Sequence, residues 1–557
     1  MHTAFSFVKR CSFVLIYAGI ALLIVLPWLK PGYILTLDMV FTPHMPAPST
    51  VTSSYLLRLL LHLLNLFIPG EIIEKLIIFT IFLLSGTGMH RLVHYIRGAH
   101  DDLPQRIGAY ASGIVFMINP FTYDRLMAGQ YNVLLGYALL PFFTLALLQF
   151  LACPTSRRAF MSAAWLTLIG IVSVHTVGLA AILAVLGAAV TAVQALRQRE
   201  HLYRLVLYGS IAFVIFVIAS SYWLVPLAMG KGATADLIAG FSANDQAAFA
   251  TVGNGTIGQI ANVIRLQGFW AESRHMYRLP QAVTPGWGLV ALIIWALVIT
   301  GALHWWRSNR QRQVLLIILT ALVCAIVVAC GVGQHWLVRI PLLAGYREPE
   351  KFVALIALGY AMLVGVGAAT AVRTAQEQWG HVGLLIAGSV VLALPFVFTP
   401  TLLWGGAGQL RPVRYPAGWF AVDQRITTDR GNFQTLVLPW HLYMYFDFAG
   451  RLIANPAPSF FTRPTIVSDN PEFHNIAPEL PTPTERSLDV LLPEAARGTS
   501  FGEQLAPLKI KYIILTKDDD YAAYAYLYHQ QDIQLITGDD TIALFRNESF
   551  KESRWAK

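Results

Sequence analysis

The sequence predicts an α-helical polytopic membrane protein with a small C-terminal α/β domain. Hydrophobic residues form 56% of the 557-residue chain and charged residues 13%, a composition typical of proteins that cross a membrane many times. Long apolar runs recur over about the first 400 residues, whereas the remainder alternates short apolar runs with polar turns. We therefore assign residues 1–404 to a transmembrane domain and residues 405–557 to an α/β domain.

About eleven apolar windows are long enough to cross roughly 30 Å of hydrocarbon at 1.5 Å per residue. They begin near Ser12, Ile72, Ile107, Tyr131, Ala159, Gly178, Leu205, Gly286, Val314, Phe352 and Val382. The first window follows Lys9 and Arg10 as a signal peptide would, but no small-residue cleavage site comes after it. We interpret it as a retained membrane anchor.

The distribution of cations predicts the orientation of the chain. With the N-terminus in the cytoplasm, the cytoplasmic connectors carry roughly twice as many Lys and Arg residues as the opposite ones, which is the bias that sets membrane topology. An odd number of spans then makes the C-terminal domain extracytoplasmic. We expect an integral protein of the plasma membrane, although an error of one span would move this domain to the other side.

Charge and cysteine usage exclude several functions. The net charge of +9 is spread over the connectors between spans, where it serves topology, so no nucleic-acid partner is predicted. The four cysteines all lie in the membrane domain and show neither a disulfide framework nor a zinc spacing. No metal site and no cofactor is predicted, and a requirement for a divalent metal is left open.

The C-terminal domain is predicted from short strand-like runs. Residues 433–438, 510–516, 533–536 and 541–545 alternate or concentrate β-branched and aromatic residues, and the last two runs flank a turn at 538–540. Residues 520–530, rich in Tyr and Ala, favour a helix. These elements indicate a small mixed domain.

Asp38 is the leading candidate for a catalytic residue. It is the first acid in the chain and lies between apolar neighbours in the loop after the first span. Desolvation near a membrane surface raises the pKa of such a carboxyl, which suits a general base that accepts a proton from a hydroxyl. The alternative is a loop acid that caps the turn before Pro43.

Two polar segments between apolar runs carry further candidates. Residues 119–130 contain Asp124, Arg125 and Gln130, and a guanidinium there could bind a phosphate through two parallel hydrogen bonds. A local ion pair between Asp124 and Arg125 is the simpler alternative. Residues 347–351 place mixed charges at the end of a later span, with Arg347, Glu348 and Lys351 as candidates. Such charges must stay near the surface or line a wet cavity.

Two histidines and one aromatic run are weaker candidates. His44 follows Asp38 closely, and His175 lies in a predicted hairpin between two spans. A lone histidine at such a place is more often a packing residue than a ligand. The aromatic run 439–446 could stack on sugar rings or form a belt at the lipid surface, and the belt is the favoured interpretation.

Several stretches of the membrane domain match one family of enzymes. The matching residues are Asn119-Pro120, Arg125-Leu126, Gly129-Gln130 and the stretches 134–141, 221–226, 268–270 and 347–352. Together they resemble the arabinofuranosyltransferases of the mycobacterial cell-wall type and their uncharacterised bacterial and archaeal relatives. The resemblance covers residues 30–370, approximately the membrane domain. The chain departs from the family in its shorter length and in lacking large carbohydrate-binding additions.

The resemblance implies a polytopic glycosyltransferase of the C type that uses a polyprenyl-phosphate sugar donor on the outer face. In that fold an acid of the first outer loop is the catalytic base, and Asp38 matches it. We expect transfer of an arabinofuranosyl, other pentosyl or hexosyl unit to a glycan or glycolipid of the cell envelope, with the donor phosphate near Arg125, Arg347 and Lys351.

Two other classes of protein are compatible with a transmembrane domain followed by a small α/β domain. A transporter of lipids or polysaccharides normally carries polar residues near the middle of its spans, whereas the polar residues here lie in the loops. A non-catalytic assembly factor of the cell envelope, with the C-terminal domain as its binding part, is the other alternative.

Overall fold

The computed structural model describes residues 2–98, 102–239, 243–333, 346–470, 482–498 and 500–551. Its membrane-domain helices are α1 (His2–Val25), α2 (Tyr55–Asn65), α3 (Gly70–Arg97), α4 (Leu103–Met117), α5 (Pro120–Met127), α6 (Tyr131–Ala152), α7 (Ser156–Val172), α8 (Val174–Gln194), α9 (Arg199–Ala228), α10 (Ala233–Ala239), α11 (Ala243–Ala248), α12 (Gly255–Val263), α13 (Pro280–Val283), α14 (Trp287–Trp306), α15 (Asn309–Ala329) and α16 (Val353–Phe398).

All eleven predicted windows fall on helices, but fewer of these helices meet the length of a full span. In the described part of the chain, eight helices are long and apolar enough to cross a membrane. α16 contains two of the predicted windows and changes direction at Gly380, whose φ of 59° is in the left-handed region. α4 and α7 have 15 and 17 residues, which at 1.5 Å per residue is shorter than a typical hydrocarbon core.

The first half of α16 is the centre of the membrane domain. Its residues from Val353 to Val364 are all buried, and it packs along α4, α14 and α15. A Cβ on Gly367 would collide with the carbonyl oxygen of Leu297 in α14, and one on Gly108 of α4 would collide with the carbonyl of Gly365. Small residues therefore bring these backbones into direct contact, as in many helix pairs of membrane proteins.

The C-terminal domain is built on a mixed five-stranded sheet. Its elements are α17 (Ala417–Thr427), β1 (Gln434–Leu438), β2 (Tyr443–Phe446), β3 (Arg451–Ala454), α18 (Ala457–Phe460), β4 (Thr465–Ile466), α19 (Pro483–Ala495), α20 (Phe501–Leu505), β5 (Ile510–Thr516), β6 (Ile533–Gly538) and β7 (Ile542–Asn547). The strand order is β4-β1-β5-β7-β6, with β1 parallel to β4 and β5 and the other pairs antiparallel. The four predicted strands lie at β1, β5, β6 and β7. The predicted helix at 520–530 is a 3₁₀ helix, Tyr521–His529.

A separate hairpin of β2 and β3 joins the two domains. Residue Leu37 of the loop after α1 pairs in parallel with Ile453 of β3, and the N–H of Ala454 donates to the carbonyl of Leu37 at 2.8 Å. A second bridge links Tyr33 to Val413. The loop that carries Asp38 is thus tied to the C-terminal domain at two points by backbone hydrogen bonds.

Candidate active site

Asp38 lies where this loop meets both domains. Its N–H donates to the carbonyl of Ala128, which follows α5, at 3.1 Å. Its carboxylate Oδ1 accepts a hydrogen bond from the hydroxyl of Tyr443, in β2, at 2.8 Å. The backbone and the side chain of Asp38 are therefore fixed from opposite directions, by the membrane domain and by the C-terminal domain.

The close approach of the Asp38 loop to α5 depends on one glycine. Gly129 has a φ of 74°, and a Cβ there would collide with the backbone of Thr36 and Met39. The hydroxyl of Thr36 also donates to the carbonyl of Met127 at 2.6 Å. A residue with a side chain at position 129 would be strained by its backbone angle and would push the loop away from α5.

Asp38 is reached by water but is enclosed by protein. Its side chain is exposed to solvent, yet the protein walls of a hollow around it displace most of the bulk water. This burial raises the pKa of Asp38 to about 6, with the hydrogen bond from Tyr443 acting in the opposite direction and the charge of Glu348 adding to the rise. At neutral pH the carboxylate is mostly ionised and is a stronger base than an ordinary aspartate.

The hollow is a cavity of about 600 Å³ between the two domains. Asp38, Arg58 and Tyr131 line it from the membrane domain, and Phe461 and Arg463 line it from the C-terminal domain. This volume lies within the usual range for small-molecule sites. One carboxylate and two guanidinium groups therefore share one water-accessible space.

The two cations of the cavity wall bind neutral groups only. Arg58, on α2, donates from Nη2 to the carbonyl of Thr50 at 2.8 Å and to the hydroxyl of Thr52 at 3.0 Å. Arg463 donates to the carbonyl of Asp429 and lies 5.3 Å from the ring of Phe433. Within the described ranges neither guanidinium forms an ion pair, so each keeps its charge available to an anion. Neither residue was a candidate from the sequence.

Arg125 is instead the centre of a buried ion-pair network. Its side chain is 1% exposed and pairs with Glu348 at 3.0 Å and Glu350 at 3.3 Å, while Lys351 pairs with Glu348 at 3.1 Å. The ring of Phe269 covers the guanidinium at 4.2 Å. The partners of Arg125 are thus distant in sequence, and the simple local pair with Asp124 is not formed.

Gln130 connects this network to Asp38. Its Oε1 accepts from Nη1 of Arg125 at 2.6 Å, and its side chain lies close enough to the Asp38 carboxylate to lower the pKa of that group. Burial by itself would raise the pKa of Glu348, but the nearby Lys351 and Arg125 cations hold it below its usual range. The structure therefore brings Asp38, Gln130, Arg125, Glu348 and Lys351 into one continuous set of contacts.

The remaining candidates lie at or outside the edge of this set. His175 is half-buried among Lys351, Glu348 and Arg125, and its carbonyl accepts from the hydroxyl of Tyr346 at 2.7 Å. The half-buried guanidinium of Arg347 lies 4.5 Å from the ring of Phe249.

Asp124 and His44 face other surroundings. Asp124 lies beside Glu272, and burial raises the pKa of both carboxyls. His44 is exposed and does not line the cavity within the described residues. The described part of the chain also holds no group of three or more side chains that could bind a metal ion.

The chain is similar in fold to solved structures of other proteins. No family model and no curated protein sequence matches the chain. Among solved structures, it is similar to the arabinofuranosyltransferase AftD from Mycobacteria, with a TM-score of 0.62 and 15% identity over 96% of this chain. The chain has the AftD fold. A mutant form of AftD gives a TM-score of 0.59 at 16% identity over 96% of this chain and 41% of that one.

The similarity to AftD confirms the predicted fold class, a polytopic helical body like that of this glycosyltransferase with a small C-terminal sheet domain. The chain spans about two fifths of the length of AftD, since the match covers 40% of that protein. A more distant match is the oligosaccharyltransferase AglB from Archaeoglobus fulgidus, which was solved with an inhibitory peptide and a dolichol-phosphate. Its TM-score is 0.48, and it is 12% identical over 92% of this chain and 70% of that one. Fold and apolar helices together make this an integral membrane protein.

Proposed function

We propose that this chain is a membrane glycosyltransferase that moves a sugar from a polyprenyl-phosphate donor to a glycan or glycolipid of the cell envelope, on the outer face. The main support is the cavity that Asp38 shares with Arg58 and Arg463. A carboxylate with a raised pKa beside cations that hold no carboxylate suits a reaction that removes a proton and releases a phosphate. The AftD fold supports the same class of reaction.

Each group of the cavity has a role in the transfer. Asp38 accepts the proton of an acceptor hydroxyl as the hydroxyl oxygen forms its bond to the anomeric carbon of the donor. The bond between that carbon and the phosphate oxygen breaks, and its electron pair leaves with the phosphate. The polyprenyl phosphate departs as an anion, which Arg58 and Arg463 stabilise by charge without protonating it.

The predicted phosphate contacts of Arg125, Arg347 and Lys351 stay a prediction. Arg125 and Lys351 already contact Glu348, so a phosphate that reaches them has to share them with that carboxylate. In the proposed mechanism Arg125 positions Gln130, and Gln130 orients the Asp38 carboxylate toward the cavity.

Replacing the base tests the proposal directly. Asp38→Asn keeps the shape of the side chain but cannot accept a proton, so we expect transfer from a labelled polyprenyl-phosphate pentose or hexose in membranes to fall by about 10²–10⁴-fold. Asp540→Asn, in an exposed hairpin turn, is the matched control and should keep the wild-type rate. A wild-type rate in Asp38→Asn, with normal membrane insertion, would end the assignment.

The cavity cations have a separate prediction. Arg58→Gln and Arg463→Gln each remove one charged hydrogen-bond donor, and we expect the KM for the lipid-phosphate donor to rise by about 10- to 100-fold. The KM for the acceptor should change little. Arg204→Gln, which alters only an exposed pair with Glu200, is the control. If neither cavity variant changes the donor KM, the phosphate lies elsewhere, and Arg347 and Lys351 are the next residues to vary.

A further inference from the structure

The solvent-facing side of β2 carries two tyrosines in line with Asp38. Side chains of a strand alternate between its two faces, and in β2 Met444 and Phe446 are buried while Tyr443 is half-buried and Tyr445 is exposed. Tyr443 donates its hydroxyl to Asp38. Tyr445 lies two residues, about 6.8 Å, farther along the strand. These two residues, called here the tyrosine strip, lead from the base out into solvent.

The surroundings of Tyr445 combine apolar surface with carboxylates. Its side chain is 47% exposed, and the cross-strand neighbour Leu452 is 38% exposed. Its N–H donates to Oδ2 of Asp519 at 3.0 Å, and the adjacent Asp520 binds the ring of His441 at 3.0 Å. Asp519 and Asp520 are exposed. An aromatic face next to hydrogen-bond acceptors suits a sugar, which has an apolar C–H face and a rim of hydroxyl donors.

We infer that the tyrosine strip binds an oligosaccharide acceptor, with a sugar unit stacked on Tyr445 and the terminal hydroxyl directed to Asp38. This inference rests on the proposed function and specifies its acceptor as a neutral glycan chain. The geometry supports it because the exposed ring of Tyr445 lies on the same face of β2 as Tyr443, which contacts Asp38. Asp38 then lies between the donor cavity on one side and the strip on the other, as a base for this transfer must.

A lipid surface fits the same residues less well. Proteins rest on membranes through aromatic residues combined with Lys and Arg, which attract anionic lipids. The exposed carboxylates near Tyr445, Asp447, Asp519 and Asp520, repel anionic lipids. The nearby cation Arg451 is half-buried and donates to the carbonyl of Gln409. The earlier interpretation of residues 439–446 as a lipid belt is therefore the competing outcome of the test.

The test measures glycan binding without turnover. The full chain with Asp38→Asn is placed in lipid nanodiscs, and linear hexasaccharides of arabinofuranose, galactofuranose and mannose are titrated by saturation-transfer NMR. We expect at least one of them to bind, Tyr445→Ala to weaken that binding about tenfold, and Tyr445→Phe to preserve it. Tyr528→Ala is the matched control because Tyr528 is 45% exposed and packs on Phe545, on the other face of the sheet.

Three results would overturn the inference. In the first, none of the three hexasaccharides binds. In the second, Tyr445→Ala binds a hexasaccharide as tightly as the parent chain does. In the third, the NMR signal of a fluorotyrosine at position 445 is broadened by spin-labelled lipid and is not changed by glycan. A different result would contradict the proposed function. If hexasaccharide binding depends on Tyr445 but the wild-type chain transfers no sugar, the tyrosine strip is a glycan site and the enzyme assignment is wrong. If transfer occurs and Tyr445→Ala leaves the acceptor KM unchanged, only the strip is wrong.

Discussion

Asp38 has the protonation behaviour that a general base requires. Enclosure raises its pKa to about 6, and the Tyr443 hydroxyl moderates that rise. The carboxylate must be ionised to accept a proton, so the active form is lost as the pH falls through about 6. In the proposed mechanism, the hydrogen bond from Tyr443 therefore both orients Asp38 and affects the pH range in which it accepts a proton.

Removing this hydroxyl should move the pH profile in a defined direction. In Tyr443→Phe the bond that favours the ionised form is absent, so the pKa of Asp38 rises and the acid limb of the transfer rate moves to higher pH. The measurement is the transfer rate between pH 5 and 8 at saturating donor. Tyr528→Phe should leave the profile in place. If the acid limb is unchanged in Tyr443→Phe, the ionisation that causes this limb does not belong to Asp38.

Residue-level prediction from the sequence was possible where the signal was local. Asp38 is an isolated acid between apolar residues just after a span, so its candidacy needed no knowledge of the fold. Tyr443 and Arg463 lie about 400 residues farther along, in an aromatic run and before a short strand, and no local pattern connects them with Asp38. Arg125 shows the same limit, because its partner Glu348 is 223 positions away whereas Asp124 is adjacent.

At the scale of elements, two short segments between spans determine the position of the site. α5 places Arg125 and, through the turn after it, Gln130. The segment before α16 supplies Glu348 and Lys351 as opposite charges for α5. Buried charges are tolerated only when they are paired, so these two segments depend on each other for stability.

Glu348→Gln should therefore destabilise the membrane domain strongly. It leaves the Lys351 cation without its paired carboxylate and Arg125 with Glu350 only, and breaking a buried pair typically costs about 3–5 kcal/mol. Thermal unfolding of the purified protein in detergent measures the loss. Glu200→Gln breaks the exposed pair with Arg204 and should change stability by no more than about 0.5 kcal/mol. Equal unfolding temperatures for the two variants would contradict the role of the network.

The helices were predictable from hydropathy, while their limits and the β2–β3 hairpin were not. Composition and apolar length suffice to locate spans, because lipid requires every backbone group to be satisfied within the helix. Hydropathy separates the two windows that meet near the turn at Gly380, but it assigns α4 and α7 more length than they have. The hairpin strands have four residues each, and their pairing with Leu37 is a tertiary contact.

At the scale of the whole molecule, the polar segments of the site all meet at the end of the helical bundle that carries the C-terminal domain. The Asp38 loop contacts β3, the residues after α5 contact Asp38, and the segment before α16 contacts α5. Which side of the membrane this end faces stays a prediction from the distribution of Lys and Arg.

Cysteine labelling in intact cells tests that orientation. In a variant whose four native cysteines are replaced by serine, Asp540→Cys should react with a membrane-impermeant maleimide, because position 540 lies in an exposed turn of the C-terminal domain. Arg157→Cys, at the exposed start of α7, should react only after the cells are permeabilised. The reverse pattern would place the C-terminal domain in the cytoplasm and the transfer reaction on the inner face.

The pairing of Leu37 with Ile453 joins two segments that are more than 400 positions apart in the chain, and the Leu37 segment is synthesised first. A ribosome releases the membrane helices well before the C-terminal hairpin exists, so during translation Asp38 has no tyrosine beside it and its cavity has no second wall. Under the proposed function, we expect a nascent chain that still lacks this hairpin to transfer no sugar.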